Sequence, residues 1–269
     1  VDGKTKATIH GAETLVSGPM TTVPGAAHKI DVMSNIERKL MKQIVTVTLN
    51  HICPMVTGVT PHVGGPIIGP GCPGVLVDGT PVSLMGDACV CCGPPDMIAQ
   101  GYPGVMVDGI PVVVQNCMTA HGGVIPAGVP GVVIGSATPI KPITMNIQKI
   151  PFPKIRTVDS VGAAVTGNSK KMKEAKNNIA ELKKETSGQT PMIYNLRWEK
   201  EGVRLYSDRI DEGTKMVADV TNIPDGDTVK ISVLIDEDNR IVKQFEGTVK
   251  NGTVEIDWDI LSKHFKKEE

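Results

Sequence analysis

The chain has 269 residues, with 28 Lys and Arg against 29 Asp and Glu, for a net charge of −1. That balance argues against nucleic acid or an anionic membrane as the main partner, since both reward a basic excess. Aromatic residues make up only 3% of the chain, and no stretch approaches the roughly 20 consecutive apolar residues of a membrane-spanning helix.

Residues 1 to 30 are rich in Gly, Thr, Ala and Pro without a clear period, and read as an extended or poorly ordered arm. They show no basic start followed by an apolar block, so no secretory leader is read there. His10 and His28 fall in this arm and read as solvated surface. Over 31–43, Ser34-Asn35-Ile36-Glu37 fits a capping box, and Val32, Ile36 and Leu40 recur every four residues, which predicts a short helix. Ile44-Val45-Thr46-Val47-Thr48-Leu49 alternates like a strand and runs straight into His51.

An internal repeat follows. Cys72-Pro-Gly-Val-Leu-Val-Asp78-Gly-Thr-Pro-Val82 returns as Tyr102-Pro-Gly-Val-Met-Val-Asp108-Gly-Ile-Pro-Val112. A shortened third copy is Val129-Pro-Gly-Val-Val-Ile-Gly135. A fixed period of about thirty residues signals one supersecondary unit used repeatedly. Each copy is a short run of β-branched residues closed by Asp-Gly, the pattern of a strand, a tight turn and a return strand. All six cysteines and three of the six histidines lie between His51 and His121, interleaved with these hairpins. Phe and Trp are absent from that stretch, so it cannot build a thick core, and small folds with this deficit borrow stability from disulfides or a metal. Cysteines in a chain without a leader favour a reduced compartment and metal binding. Imidazole and thiolate together point to zinc in a closed tetrahedral site.

These residues carry a family resemblance. His51-Ile-Cys53-Pro54, Pro61-His62-Val-Gly-Gly-Pro66, Gly86-Asp87, Cys91-Cys92-Gly-Pro-Pro-Asp96 and Thr119-Ala-His121-Gly-Gly123 resemble, in order and spacing over roughly ninety residues, a PAAR-repeat domain of the variant opening on His-x-Cys-Pro. The resemblance implies a sharp β-cone seated on a trimeric VgrG-type spike of a type VI secretion system or related contractile injection machine. It also implies one structural zinc near the apex, held by three His and one Cys. The set carried over is His51, His62, Cys91 and His121. The residues themselves pair His62 with His121, because each is closely followed by Gly-Gly. Cys89 and Cys92 crowd the thiolate position, and Cys53 is an alternative to His51. Cys72 and Cys117 read as small buried hydrophobes. Asp78, Asp87, Asp96 and Asp108 read as turn chemistry rather than acid–base pairs. Four protein ligands close the metal sphere, and no HExxH or deaminase pattern is present, so the expectation is a structural ion and no enzyme.

Past the repeat, residues 138–157 hold four prolines and read as an extended linker. Residues 168–186 form a charged helix whose stripe is Met172, Ala175, Ile179 and Leu182, expected to end at Ser187-Gly188. From 190 to 260 the pattern becomes alternating strands separated by turns such as Pro224-Asp-Gly226 and Asn251-Gly252, which predicts a small antiparallel sandwich of immunoglobulin or transthyretin type.

The expected architecture is therefore mainly β, with five parts: an N-terminal arm and short helix (1–43), the cone (44–140), a Pro-rich linker with the charged helix (141–189), the sandwich (190–262) and a tail (263–269). The implied role is a monomer on a trimeric base, without nucleic acid, that sharpens the spike and carries or recruits an effector or adaptor through the sandwich. It would reside in the bacterial cytoplasm before firing, then leave with the spike and cross a membrane only transiently. The competing expectations are a toxin in the C-terminal module and an unrelated zinc-stabilised β-repeat binding protein.

Overall fold

A computed structural model of the chain describes residues 41–135, 140–185, 190–205, 213–235 and 240–257. The expected N-terminal arm, most of the helix predicted over 31–43, the Ser187-Gly188 helix end and the C-terminal tail lie outside the described residues, as do His10, His28 and His264. The described part is mainly β. It divides into two compact units, one holding 1–107, 111–143 and 151–182 and the other 108–110, 144–150 and 183–269.

The repeat of the first unit is built from the hairpins its sequence specifies. β6 (Cys72–Val77) returns as β7 (Thr80–Val82), and β10 (Gln100–Val107) is followed two residues later by β11 (Ile110–Val112). Both turns place Asp and then Gly at positive φ, 49° and 75° at Asp78-Gly79 and 49° and 72° at Asp108-Gly109. Two successive positive φ values define the turn whose twist matches the flanking strands, and Asp-Gly is among the few dipeptides that adopt it cheaply. The turn reading of Asp78 and Asp108 follows from this geometry. In the third copy, β12 (Val133–Ile134) pairs with β1 (Lys42–Gln43) among the described residues.

The strand expected over 44–49 is absent as a continuous element. Ile44 bridges Val114 and Thr46 bridges Val82, while Val45 donates to Val113 and Thr48 to Ile67. The segment thus changes partner almost every residue, and Thr48 at φ 72° turns it away. Ile44, Val45 and Thr46 are all buried, so the alternation seen in the sequence does not mark an inner and an outer face. The core they join is made of small aliphatics, with Val56, Val82, Ile98, Val112, Val113 and Ile125 fully buried. Burying each such side chain is worth roughly 1.5–3 kcal/mol.

A four-stranded sheet, in the order β2 (Asn50–Ile52), β5 (Gly64–Gly69), β8 (Ala88–Cys89), β9 (Asp96–Met97), supports the cysteine- and histidine-bearing segments. A small hairpin, β3 (Val56–Thr57) and β4 (Thr60–Pro61), stands beside it in the chain. The Pro-rich stretch is not a free linker. Ile143, first residue of β13 (Ile143–Thr144), is 8% exposed and Ile150 is 5% exposed. Residues 151–182, expected within the linker and charged-helix segment, belong to the first unit. They include α1 (Thr157–Val165) and most of α2 (Ser169–Glu185), whose stripe Met172, Ala175, Ile179 and Leu182 is buried as its spacing predicts.

The second unit is an antiparallel sheet of β14 (Met192–Lys200), β15 (Val203–Leu205), β16 (Thr214–Thr221), β17 (Thr228–Ile235), β18 (Arg240–Lys250) and β19 (Thr253–Asp257), ordered β15-β14-β16-β19-β18-β17. The described strands form one hydrogen-bonded order, which both a single layer and the expected sandwich allow. The eleven-residue β18 links the order, pairing with β17 along most of its length and with β19 at its end. Met216, Phe245 and Ile256, with Trp198 and Ile231 against them, form one apolar cluster, and Val220, Val229, Val249 and Val254 form another. Residues 144–150 are strapped to this sheet. The Thr221 hydroxyl donates to the Thr144 carbonyl at 2.9 Å, and Lys149 pairs with Asp219 at 2.5 Å.

Candidate metal centre

Three segments far apart in sequence bring their polar side chains into one buried place: 51–62, 91–96 and 119–123. Cys53, His62, Cys91 and His121 each offer a donor atom, and the four lie within 4.8 Å of one another. Cys53, His62 and His121 are each 2% exposed; Cys91 is partly exposed. A second set shares both sulfurs and adds His51 and Asp96. Of the four residues carried over from the resemblance, His62, Cys91 and His121 thus gather with Cys53, while His51 stands on the other side of the sulfurs, beside Asp96.

Each donor is held by its local structure. The His62 backbone N–H donates to the Met55 carbonyl at 2.8 Å, which closes the β3–β4 hairpin. Its ring Nε2 lies 3.0 Å from the Thr57 hydroxyl. With the proton on that nitrogen, Nδ1 presents a lone pair 3.3 Å from Cys91 Sγ and 3.7 Å from Cys53 Sγ. A ligand imidazole fixed through its other nitrogen is the usual arrangement around a bound metal. The His62 and His121 rings meet edge to face, with centroids 5.4 Å apart.

Asp96 organises the far side. It is 1% exposed, and its Oδ1 accepts from the backbone N–H of Met97 at 2.8 Å and of His121 at 3.0 Å. Its Oδ2 accepts from the Thr119 hydroxyl at 2.6 Å and faces His51 Nε2 at 3.3 Å and His121 Nδ1 at 3.7 Å. The sequence assigned Asp96 to turn chemistry. Here it is a buried carboxylate that fixes the His121 loop, and its isolation in a run free of other charges was the available signal. Asp87 is buried too, but it accepts from Gly71 and Leu84 N–H groups and is the turn residue expected.

His51 on β2 uses Nδ1 against the Gly65 carbonyl at 2.9 Å. Burial opposes its protonation, yet Asp96 and the sulfurs of Cys89 and Cys91 together push it up to about 12. Cys91 is held far below the usual thiol range, first by a hydrogen bond from Cys53 and then by the imidazoles of His121, His51 and His62. Cys53 moves the opposite way, raised by the Cys91 sulfur and by burial. The two shifts are opposite in direction because the sulfurs face each other, and a proton on one favours the charge on the other.

The donor set fits a thiophilic metal. Two sulfurs and two imidazoles converge, and His121 Nδ1 is buried with no hydrogen-bond partner. Burying polar atoms without partners is costly. Cys72 and Cys117 are buried apart from this group, and burial pushes the Cys117 thiol up to about 12, as an inert core cysteine requires. Cys92 is exposed.

Residues 57–127 match the family model described as the PAAR motif. The chain thus carries a PAAR motif over the segment that holds three of the four converging donors, in keeping with a PAAR-repeat spike-tip protein of type VI secretion systems. No curated protein and no solved structure matches the chain.

Proposed function

We propose that the chain is a non-enzymatic spike tip that caps a VgrG-type trimer, sharpens it for membrane puncture and carries or recruits cargo through its C-terminal sheet. One structural zinc ion is held by Cys53, His62, Cys91 and His121. The observation that carries the reading is the convergence of these four donors, three of them (His62, Cys91 and His121) inside the segment that matches the PAAR motif. Zinc suits two thiolates and two imidazoles. When bound, the ion supplies a cross-link between loops that share little apolar surface, so that binding energy becomes folding energy. Four protein donors leave no position for a reacting water, which favours a structural role over catalysis. Asp96 holds the His121 loop behind the donors, through hydrogen bonds from the His121 N–H and the Thr119 hydroxyl.

A tip must transmit force without fraying, and loops tied to one ion open less readily than loops tied to nothing. The protein would reside in the bacterial cytoplasm before firing and leave it with the spike. A pull-down of the purified chain with a VgrG-type spike trimer tests the role directly. Stable capture is expected, and no association at micromolar concentration overturns the spike reading. Elemental analysis is expected to give close to one zinc per chain, lost in His62→Ala and His121→Ala.

A further inference from the structure

We infer that residues 151–182 form a wall of the metal centre: a helical clamp in which Asp159 and Asn178 position the two segments that carry His62 and His121. This rests on the metal reading above.

The clamp grips the His62 hairpin first. At the start of α1, Asp159 splits its carboxylate. Oδ2 accepts from the Arg156 backbone N–H at 2.7 Å, the ordinary capping bond of its own helix. Oδ1 accepts at 2.7 Å from the N–H of Gly58. Gly58 lies in the β3–β4 turn, next to Thr57, whose hydroxyl meets His62 Nε2. A chain of direct contacts and one covalent link therefore runs from Asp159 through Gly58 and Thr57 to the imidazole. The helix approaches this turn so closely that a Cβ on Gly162 would overlap the Gly58 carbonyl. Asp159 is 1% exposed, a deep position for a carboxylate that only caps a helix.

The grip on the His121 segment is independent. Ala175 of α2, fully buried, lies against Gly122, where a Cβ would sit 2.6 Å from the Ala175 carbonyl oxygen. Asn178, one helical turn on, donates its amide to the Gly122 carbonyl at 2.8 Å. Between the two grips, Ala163 of α1 and Met172 of α2 are buried in one cluster with Cys53, Met55 and Val56, and Cys91 packs against it. The helices therefore meet the hairpin of His62 and the loop of His121, and share an apolar cluster with Cys53.

A helix that merely rested on a neighbouring surface would do so through long side chains. Here contact is made by Gly and Ala, with polar groups spent on the backbone next to the donors. Donor loops at a surface open locally at little cost, and each opening is a chance for the ion to leave. Tying two of those loops to buried helices raises that cost, so the clamp slows release.

The test uses the full-length, zinc-loaded protein. Zinc content is measured first, then the rate of transfer to a chromogenic chelator well below the unfolding temperature, with circular dichroism confirming that each variant is folded. Asn178→Ala removes one hydrogen bond and is expected to release zinc about fivefold faster, the factor that one net bond carries. Asp159→Asn is expected to act in the same direction. Asn177→Ala, an exposed neighbour on the same helix, is expected to match the parent, which separates loop positioning from general weakening of α2. Parent-like release in both Asn178→Ala and Asp159→Asn overturns the clamp, as does equal acceleration in Asn177→Ala. A protein that takes up no zinc overturns the metal reading itself, and the clamp falls with it.

Discussion

Replacing Asp96 by Ala removes the acceptor for three buried donors at once: the N–H groups of Met97 and His121 and the hydroxyl of Thr119. A buried donor left without a partner costs about 1–3 kcal/mol. Water entering the vacated space relieves part of that, so the low end, about 1 kcal/mol per donor, gives a floor near 3 kcal/mol. For a domain of this size each kcal/mol lowers Tm by about 2–4 °C, so the expected drop is roughly 6–12 °C. Asp96→Asn keeps the shape and one carbonyl oxygen for the two backbone groups. It loses only the charge on its bonds, about 1 kcal/mol or roughly 2–4 °C. Differential scanning calorimetry of the two variants and the parent, in zinc and again in chelator, reads these differences. An Asp96→Ala protein melting within about 3 °C of the parent would refute the assignment of Asp96 as the anchor of the His121 loop.

Gly162→Ala ought to strengthen α1 by about 1 kcal/mol on helix propensity alone. Because the added methyl overlaps the Gly58 carbonyl, the expected outcome is a net loss exceeding about 2 kcal/mol in urea unfolding, and a stabilised variant would contradict the close approach of α1 to the β3–β4 turn. Zinc content separates the two candidate ligands at the start of the motif: Cys53→Ala is expected to lose most of the ion and His51→Ala to keep it, and the reverse pattern would restore His51 to the ligand set. Bonds from the Gly58 and Arg156 N–H groups, then the Arg156 guanidinium, hold the Asp159 carboxyl down at about 2. The stability it contributes is fully present above its unfolded value near about 4 and disappears as pH falls toward 2. The stability gap between the parent and Asp159→Asn should therefore be constant above pH ~4 and close below it; a gap that persists unchanged to pH ~2 contradicts the cause given.

The hairpins were legible because their turns are encoded by adjacent residues. Asp78-Gly79 and Asp108-Gly109 need nothing from the rest of the chain to choose their geometry, and Asn251-Gly252 at φ 50° and 67° repeats the device in the second unit. His62 and His121 were legible through their shared Gly-Gly context. The choice between His51 and Cys53 was not. Two residues apart, they share a face if the chain stays extended, and only the contact of His51 Nδ1 with the Gly65 carbonyl takes His51 to the other side of the sulfurs. Asp96 was misread because Pro-Asp is a common turn signal, and its bonds to Thr119 and His121 span more than twenty residues. The stripe of α2 announced a buried face through Met172, Ala175, Ile179 and Leu182. Its counterpart at Gly122 has no side chain to show periodicity, so where that face docks could not be read. The strand predicted over 44–49 failed for a related reason. Successive residues each find a different neighbour, and alternation means something only when one sheet lies on one side.

The helices that close over Gly58 and Gly122 reach them across 101 and 56 residues of chain. During synthesis, at about 5–20 residues per second, Asn178 is made roughly 3–11 s after Gly122. Every cysteine and histidine of the centre has by then been translated, with the wall that covers them still to come. The wall of the proposed metal centre is thus completed only once the helices have left the ribosome, and the nascent thiols must pass that interval without it.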